Sequence, residues 1–140
     1  MVKHHGVHFL EKKQVKLKKF EINKNDVTSL LGPPSTKNSF DNDVWIYIER
    51  KQTQSKLKNL GRMKIFKNDV LVLEIDSYGI LKKKEFYNKD DMENIKIVEA
   101  TTEAGFKRNS FIYDFMSSMR QKINDPLGQR AKKRKEISQR

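Results

Sequence analysis

The chain has 140 residues, 36% of them hydrophobic, which suits one domain with a modest core and leaves part of the chain outside it. Its 30 Lys and Arg against 18 Asp and Glu give a net charge of +12, which favours an anionic partner such as lipid headgroups, nucleic acid or an acidic protein. A nucleotide bias toward A and T would enrich Lys equally well. The absence of Cys excludes disulfides, zinc-thiolate sites and a thiol nucleophile.

No stretch of the sequence is apolar for long enough to cross a membrane. The longest apolar run, Val44–Ile48, is far shorter than the roughly 20 residues that a spanning helix needs. The N-terminus, MVKHHGVHFLEKK, also lacks the apolar region of a secretory signal. Two interpretations stay open: a cytoplasmic protein, or one whose signal is not part of this sequence.

The N-terminal segment holds all three histidines, His4, His5 and His8. They suggest a metal site, but without an HExxH pairing or a Cys a flexible segment over residues 1–8 is the favoured interpretation. From residue 9 to residue 20 a loose helical spacing predicts a helix, although part of the pattern also fits a strand. Its apolar positions are Phe9, Leu10, Leu17 and Phe20.

The next helix has a well-specified start. Asn23 can cap it, Asp26 stands where a carboxylate reaches back to the cap N–H, and Ile22 and Val27 occupy the positions of a hydrophobic staple. The helix should end at Gly32, which can take positive φ, because two prolines follow. Such a short helix needs a sheet to pack against.

Three strands are predicted after this helix. The first alternates over residues 44–48, with Val44, Ile46 and Ile48 on one face and Trp45 and Tyr47 on the other. Residues 69–87 then read as an antiparallel hairpin around the turn 76–79. Its first strand places Leu71, Leu73 and Ile75 on one face, and its second exposes Lys82, Lys83 and Lys84, a common protection of a sheet edge.

The connections between these elements are predicted as loops. Residues 35–43 form a loop whose aromatic Phe40 is either a plug that closes the core, the favoured interpretation, or an exposed contact for a partner. Residues 51–61 are expected to be a mobile basic connection, with a short extension of structure over residues 62–67.

The C-terminal part begins with a loop or single helical turn at residues 88–94. From Asn109 onward apolar residues recur at helical spacing, and packing of this amphipathic helix within the protein is favoured over a partner or a membrane surface. Its stripe comprises Phe111, Ile112, Phe115, Met116, Met119 and Ile123. Residues 125–140 are predicted to be a disordered basic tail.

The sequence contains no Gly-rich phosphate loop, nucleophile elbow or telling pair of carboxylates, which argues against an enzyme. No catalytic residue, metal ligand or cofactor is therefore assigned.

The order of these motifs resembles the BamE family, also called SmpA/OmlA, of small outer-membrane assembly lipoproteins. The segments LGPPS, FDND, WIYIE and DVLVLEIDSYGIL are similar to the family's series V…LGxP…F…WxY…(V/L)xFxxxG(V/L). The positions that match are Val27, Leu31, Gly32, Pro33 or Pro34, Phe40, Trp45, Tyr47, Ile75, Gly79, and Ile80 or Leu81. Residues 97–119, with TTEAG before a helix, are similar to the C-terminal extension of alphaproteobacterial members.

The resemblance implies an α+β fold in which two N-terminal helices pack on a three-stranded antiparallel sheet (ααβββ). It divides the chain into a flexible segment (1–8), the BamE-like domain (9–87), an extension with an amphipathic helix (88–124) and the basic tail (125–140). It also places a partner-binding segment at Gly32, Pro33, Pro34, Phe40, Asp41, Asn42, Trp45 and Tyr47.

The implied role is that of a non-enzymatic subunit of the β-barrel assembly machine on the periplasmic face of the outer membrane. The implied partners are BamA and BamD homologues and anionic phospholipid, with no small-molecule substrate. The sequence departs from the family in having neither signal peptide nor lipobox Cys, so either it starts after the acylated Cys or this localisation fails.

A nucleic-acid-binding module is the alternative, because aromatic residues on a sheet flanked by Lys can stack bases. The aromatic residues concerned are Trp45, Tyr47, Phe86 and Tyr87. The strand motif that would make this interpretation strong is missing, and nucleic acid is not the expected partner.

Overall fold

The computed structural model describes residues 2–54 and 63–124 of the chain. These residues form an α+β fold of five strands and three α-helices. In chain order the elements are β1 (Val2–Gly6), α1 (Leu10–Gln14), α2 (Lys24–Leu31), β2 (Thr36–Phe40), β3 (Asn42–Gln54), β4 (Met63–Ile75), β5 (Leu81–Tyr87), a 3₁₀ helix (Asp90–Asn94) and α3 (Glu103–Asn124). None of the described helices is long and apolar enough to cross a bilayer.

The antiparallel sheet has the order β1-β3-β4-β5, with β2 also paired to β3. β2 pairs with the first half of β3 and β1 with the second half, so these two short strands lie end to end along one edge of β3. The prediction of three strands is therefore wrong in number. Both additional strands are largely exposed and polar, so they lack the apolar alternation by which a strand is recognised in a sequence.

Both faces of the sheet are covered. On the first face, α1 and α2 pack on β3, β4 and β5, and the buried residues are Leu10, Leu17, Val27, Leu31, Tyr47, Leu71, Leu73, Ile75 and Leu81. On the second face, the 3₁₀ helix and α3 pack on β3 and β4, through Val44, Ile46, Val70, Val72, Met92, Met116 and Met119. The predicted alternation along β3 and β4 is confirmed, and so is the packing of the C-terminal helix within the protein.

The predicted start and end of α2 are also confirmed. The Asn23 side chain accepts a hydrogen bond from the backbone N–H of Asp26 at 2.9 Å, and the Asp26 carboxylate accepts one from the N–H of Asn23 at 3.2 Å. Ile22 packs against the first-face core, as expected of a staple. The helix ends at Gly32, whose φ of 77° few other residues adopt readily.

The helix predicted over residues 9–20 is much shorter, since α1 covers only Leu10–Gln14. Leu10 and Leu17 are buried as expected, but Phe9 and Phe20 are exposed. Both phenylalanines have left-handed backbone, with φ of 58° and 68°, so the chain changes direction at each of them and their rings do not join the core.

Several segments predicted to be flexible or to be loops are partly or wholly strands. Residues 2–6 are the strand β1 rather than a flexible segment, because β3 supplies their backbone partners. Residues 51–54 continue β3 rather than opening a loop, and residues 36–40 are β2. The remainder of the predicted connection, 55–61, and the predicted basic tail, 125–140, lie outside the described residues.

The predicted hairpin turn and the predicted helical turn are both present in the structure. Residues 76–79 do form the turn of the β4–β5 hairpin, in which the Asp76 carboxylate accepts the backbone N–H groups of Tyr78 and Ile80, each at 2.9 Å. The predicted helical turn is the 3₁₀ helix. α3 starts earlier than expected, at Glu103, where Thr102 accepts the N–H of Gly105 at 3.0 Å and so caps the first turn.

Candidate interaction surface

The predicted partner-binding residues lie along β2 and the adjoining half of β3, and we call this region the β2 edge. They fall into two groups at opposite ends of β2. Gly32, Pro33 and Pro34 lead into β2 from α2, next to Tyr47, while Phe40, Asp41 and Asn42 form its turn into β3. Trp45 lies between the groups and pairs with Lys37 of β2.

Tyr47 is completely buried and joins β3 to the end of α2. Its hydroxyl donates a hydrogen bond to the carbonyl of Gly32 at 2.8 Å. Burial raises the pKa of Tyr47 to about 12, so the hydroxyl keeps its proton at neutral pH. Tyr47 therefore cannot touch a partner directly, but it fixes the position of Pro33, which is exposed.

Phe40 is half-buried and points to the opposite face of the sheet. Its ring contacts Phe111 of α3, with 5.5 Å between the centroids, and packs against the second-face core. This is the contact that the plug interpretation predicts. The remaining exposed fraction of the ring still lies beside Asp41, an exposed residue with φ of 68° at the tip of the turn.

A polar network connects this turn to α3. Arg108 donates to the Glu74 carboxylate at 3.0 Å, and the Asn42 side chain donates to the same oxygen at 3.3 Å. Both charges of the pair are largely buried, so the pair is stronger than an exposed one. Beside it, a cavity of about 830 Å³ opens between β4, β5, residues 94–102 and α3.

Some of the charges that line this cavity are paired, whereas its lining residues Lys96 and Glu99 are exposed. Lys83 lies 2.8 Å from Glu85, which in turn accepts the hydroxyl of Tyr87. Charges of both signs and apolar residues line the cavity together, so no group in it singles out a ligand. We assign it no binding role.

The exposed aromatic residues are different from those the sequence suggested. Residues 20–24 run alongside residues 78–82, held by hydrogen bonds from the Phe20 N–H to the Leu81 carbonyl (2.7 Å) and from the Lys24 N–H to the Gly79 carbonyl (2.8 Å). Here Tyr78 is 88% exposed and Phe20 is 65% exposed. We call this region the Phe20–Tyr78 end.

Lysines lie close to Phe20 in space and in sequence. The Lys82 ammonium lies 5.1 Å from the centroid of the Phe20 ring, within the range of a cation–π contact. Lys18 and Lys19 immediately precede Phe20 and are exposed. Sequence reasoning missed this region because it assigned Phe20 to a helix and Tyr78 to an ordinary turn.

A cluster of His4, His8 and Glu49 was also missed. Register pairs His4 with Lys51 of β3, which places His4 diagonally across from Glu49 on the same face. The His4 Nε2 lies 2.9 Å from a Glu49 oxygen, and the rings of His4 and His8 stack with 3.6 Å between centroids. Only strand pairing reveals the cluster, because Glu49 is far from both histidines in the sequence.

Glu49 is a buried carboxylate with several partners. It accepts the backbone N–H groups of Phe9 at 3.0 Å and Leu10 at 3.1 Å, and the Lys67 ammonium lies 3.6 Å away. Burial alone would raise its pKa, but the hydrogen bonds from His4 and the two N–H groups, with the charge of Lys67, lower the pKa below its ordinary value. Glu49 is therefore ionised at neutral pH.

Comparison with known proteins agrees with the resemblance drawn from the sequence. The family model of the outer membrane protein assembly factor BamE domain matches residues 8–83. No curated protein matches the chain significantly. The matched range runs from α1 to the start of β5, so it contains the whole β2 edge and the Phe20–Tyr78 end and leaves out β1 and α3. Since the match covers more than half of the chain, this protein belongs to the BamE family of outer membrane protein assembly factors.

Proposed function

We propose that the chain is a non-enzymatic accessory subunit of the outer-membrane β-barrel assembly complex, where it supports the folding and insertion of outer-membrane proteins. The observation that carries this proposal is the family match over residues 8–83. The role requires no cofactor and no small-molecule substrate. Residues 88–124 would then be an extension of the alphaproteobacterial type.

We further propose that the β2 edge binds the BamA and BamD homologues. Pro33 and Asp41 are exposed at its two ends, and the β2 residues Lys37, Asn38 and Ser39 are exposed between them. In the described part of the chain β2 pairs only with β3, so its outer backbone groups are available to a partner strand. Gly32 and Tyr47 would shape this surface from beneath, and Phe40 and Trp45 would contribute their exposed parts.

The test compares Phe40→Ala with Phe111→Ala. Both variants remove the same ring-to-ring contact between β2 and α3, but only the first alters the β2 edge. Loss of an aromatic group at the centre of an interface costs about 2 kcal/mol or more, which is roughly 30-fold in Kd. We therefore expect Phe40→Ala, and not Phe111→Ala, to weaken capture of the purified BamA and BamD homologues.

Thermal unfolding of both variants provides the control for stability. If they lower the melting temperature alike and capture the partners alike, Phe40 serves only the core and the proposed interface is wrong.

We also propose that the protein lies on the periplasmic face of the outer membrane and contacts anionic phospholipid peripherally. The net charge of +12, the two exposed aromatic rings of the Phe20–Tyr78 end and the lysine beside Phe20 support this orientation. Screening by salt should weaken such binding strongly, since the Debye length is about 8 Å at physiological ionic strength.

Vesicle co-sedimentation tests the lipid contact. We expect binding to vesicles that contain phosphatidylglycerol, little binding to phosphatidylcholine alone, and loss of binding in high salt. Tyr78→Ser should reduce binding, whereas Phe106→Ser, which changes an exposed ring on α3, should not. Equal sedimentation with both lipids would rule out the electrostatic contact, and equal effects of the two variants would rule out the Phe20–Tyr78 end.

The geometry does not favour the nucleic-acid alternative. A sheet that stacks bases needs open aromatic faces, but Tyr47 is completely buried and the other three candidate rings are half-buried beneath the helices. Those three rings are Trp45, Phe86 and Tyr87.

A further inference from the structure

We propose that His4, His8 and Glu49 form a binding site for a divalent transition-metal ion of the Zn²⁺ class, which fastens β1 and the start of α1 to β3. Each residue offers one ligand atom, and these atoms all lie within 4.8 Å of one another. The inference is independent of the proposed assembly role, and β1 lies outside the range matched by the family model.

The distances suit a metal ion after a small side-chain adjustment. Two ligands of one Zn²⁺ ion, each bound at about 2.0–2.2 Å, lie roughly 3.3–3.6 Å apart in tetrahedral geometry. The His4 Nε2 and the nearer Glu49 oxygen are 2.9 Å apart, a hydrogen-bond distance, so they would separate by about half an ångström to admit the ion. The His8 ligand atom lies within 4.8 Å of the other two, and His8 is exposed, so its side chain has room to rotate toward the third position.

The backbone brings the two histidines together. Gly6 has φ of 89°, and a Cβ there would lie 2.0 Å from the Ile48 carbonyl oxygen, so only glycine allows this close approach. Immediately afterwards, the Val7 N–H donates to that same carbonyl at 2.8 Å. This path returns the chain over β1 and places the His8 ring on the His4 ring.

Glu49 is held in place as a ligand should be. The backbone N–H groups of Phe9 and Leu10 bind one oxygen each, which orients the carboxylate in the way that outer hydrogen bonds orient metal ligands. Lys67 lies beside the oxygen that faces away from His4, where its charge limits the affinity for a cation. We therefore expect binding in the micromolar range.

The donor set selects the class of metal. Two imidazoles and one carboxylate suit Zn²⁺, Co²⁺, Ni²⁺ or Cu²⁺, whereas Mg²⁺ and Ca²⁺ prefer oxygen ligands. Three protein ligands leave one tetrahedral position for water. The competing explanation is that the histidines only hydrogen-bond and stack to secure β1.

Isothermal titration of the full chain, purified without a histidine tag, distinguishes these explanations. His5 provides a matched control, because it is the neighbouring residue of β1, exposed, and outside the cluster. We expect one Zn²⁺ per chain in the wild type and in His5→Gln, at least tenfold weaker binding in His8→Gln, and no comparable binding of Mg²⁺.

A second readout guards against loss of fold. Co²⁺ absorption reports tetrahedral coordination directly, and circular dichroism shows whether His8→Gln remains folded, as expected for an exposed side chain. Two results would overturn the proposal. One is equal weakening of Zn²⁺ binding by His8→Gln and His5→Gln, and the other is no binding by the wild type at a Zn²⁺ concentration about 100 times the expected micromolar Kd.

Discussion

Because the hydroxyl of Tyr47 is buried, we expect the protein to lose stability as the pH rises above 10. Replacing Tyr47 with Phe should remove this part of the pH dependence. Tyr47→Phe removes the hydrogen bond to the Gly32 carbonyl and changes little else in the packing. Removal of a single neutral hydrogen bond of this kind costs about 1 kcal/mol. At neutral pH the variant should be less stable than the wild type by that amount.

At high pH the order should reverse. The pKa of Tyr47 is raised from 10.0 to about 12 in the folded protein, so ionisation favours the unfolded chain. The stabilisation is fully present below pH 10 and is lost as the pH rises toward 12, by about 2.7 kcal/mol at 1.36 kcal/mol for each pH unit. Since Phe at position 47 cannot ionise, the two stability curves should cross at about pH 10.7, where this loss equals about 1 kcal/mol.

Urea unfolding followed by far-UV circular dichroism at intervals from pH 7 to 11.5 measures both curves. Every other group that ionises in this range is present in both proteins. The difference between their free energies of unfolding therefore reports Tyr47 alone. Parallel curves across the whole range would refute the assignment of a shifted, buried phenol to Tyr47.

Substitutions at three further positions test the backbone of the fold by hydrogen exchange or thermal unfolding. Gly6→Ala should detach β1, because the added Cβ cannot fit beside the Ile48 carbonyl, and hydrogen exchange should increase in β1 but not in β4; unchanged protection of β1 would contradict this. Gly32→Val should destabilise by about 1 kcal/mol or more, since a β-branched residue is forced to positive φ, and an unaltered melting temperature would disprove that role. Asn23→Ala should cost about 1 kcal/mol through loss of the helix cap, and Asn23→Asp, which can still cap, should restore most of it.

The elements predicted correctly are those whose signals are local. The cap at Asn23, the stop at Gly32 and the apolar periods of β3, β4 and α3 are all contained within one element. β1 and β2 could not be found in this way, because they are short polar edge strands whose only support is pairing with β3.

The candidate sites show the same division. The β2 edge could be proposed from its motif, but the sequence did not reveal that Tyr47 is buried and that Phe40 faces α3. Glu49 did carry a signal that was overlooked. It continues the alternation of Trp45 and Tyr47 toward the first face, and an acidic residue in a core-facing position predicts a buried carboxylate with partners.

The two cores differ in chemistry, and this difference gives α3 a distinct response to oxidants. The second face depends on three buried thioethers, Met92, Met116 and Met119, whereas the buried first-face cluster contains none. Peroxide converts methionine to a polar sulfoxide, which packs poorly in an apolar layer. Met116 and Met119 belong to α3 and are buried against the sheet, so we expect their oxidation rate to report the local opening of α3. Oxidation should therefore weaken the packing of α3 on the second face, while the first-face layer of α1 and α2, which buries no methionine, keeps its own contacts.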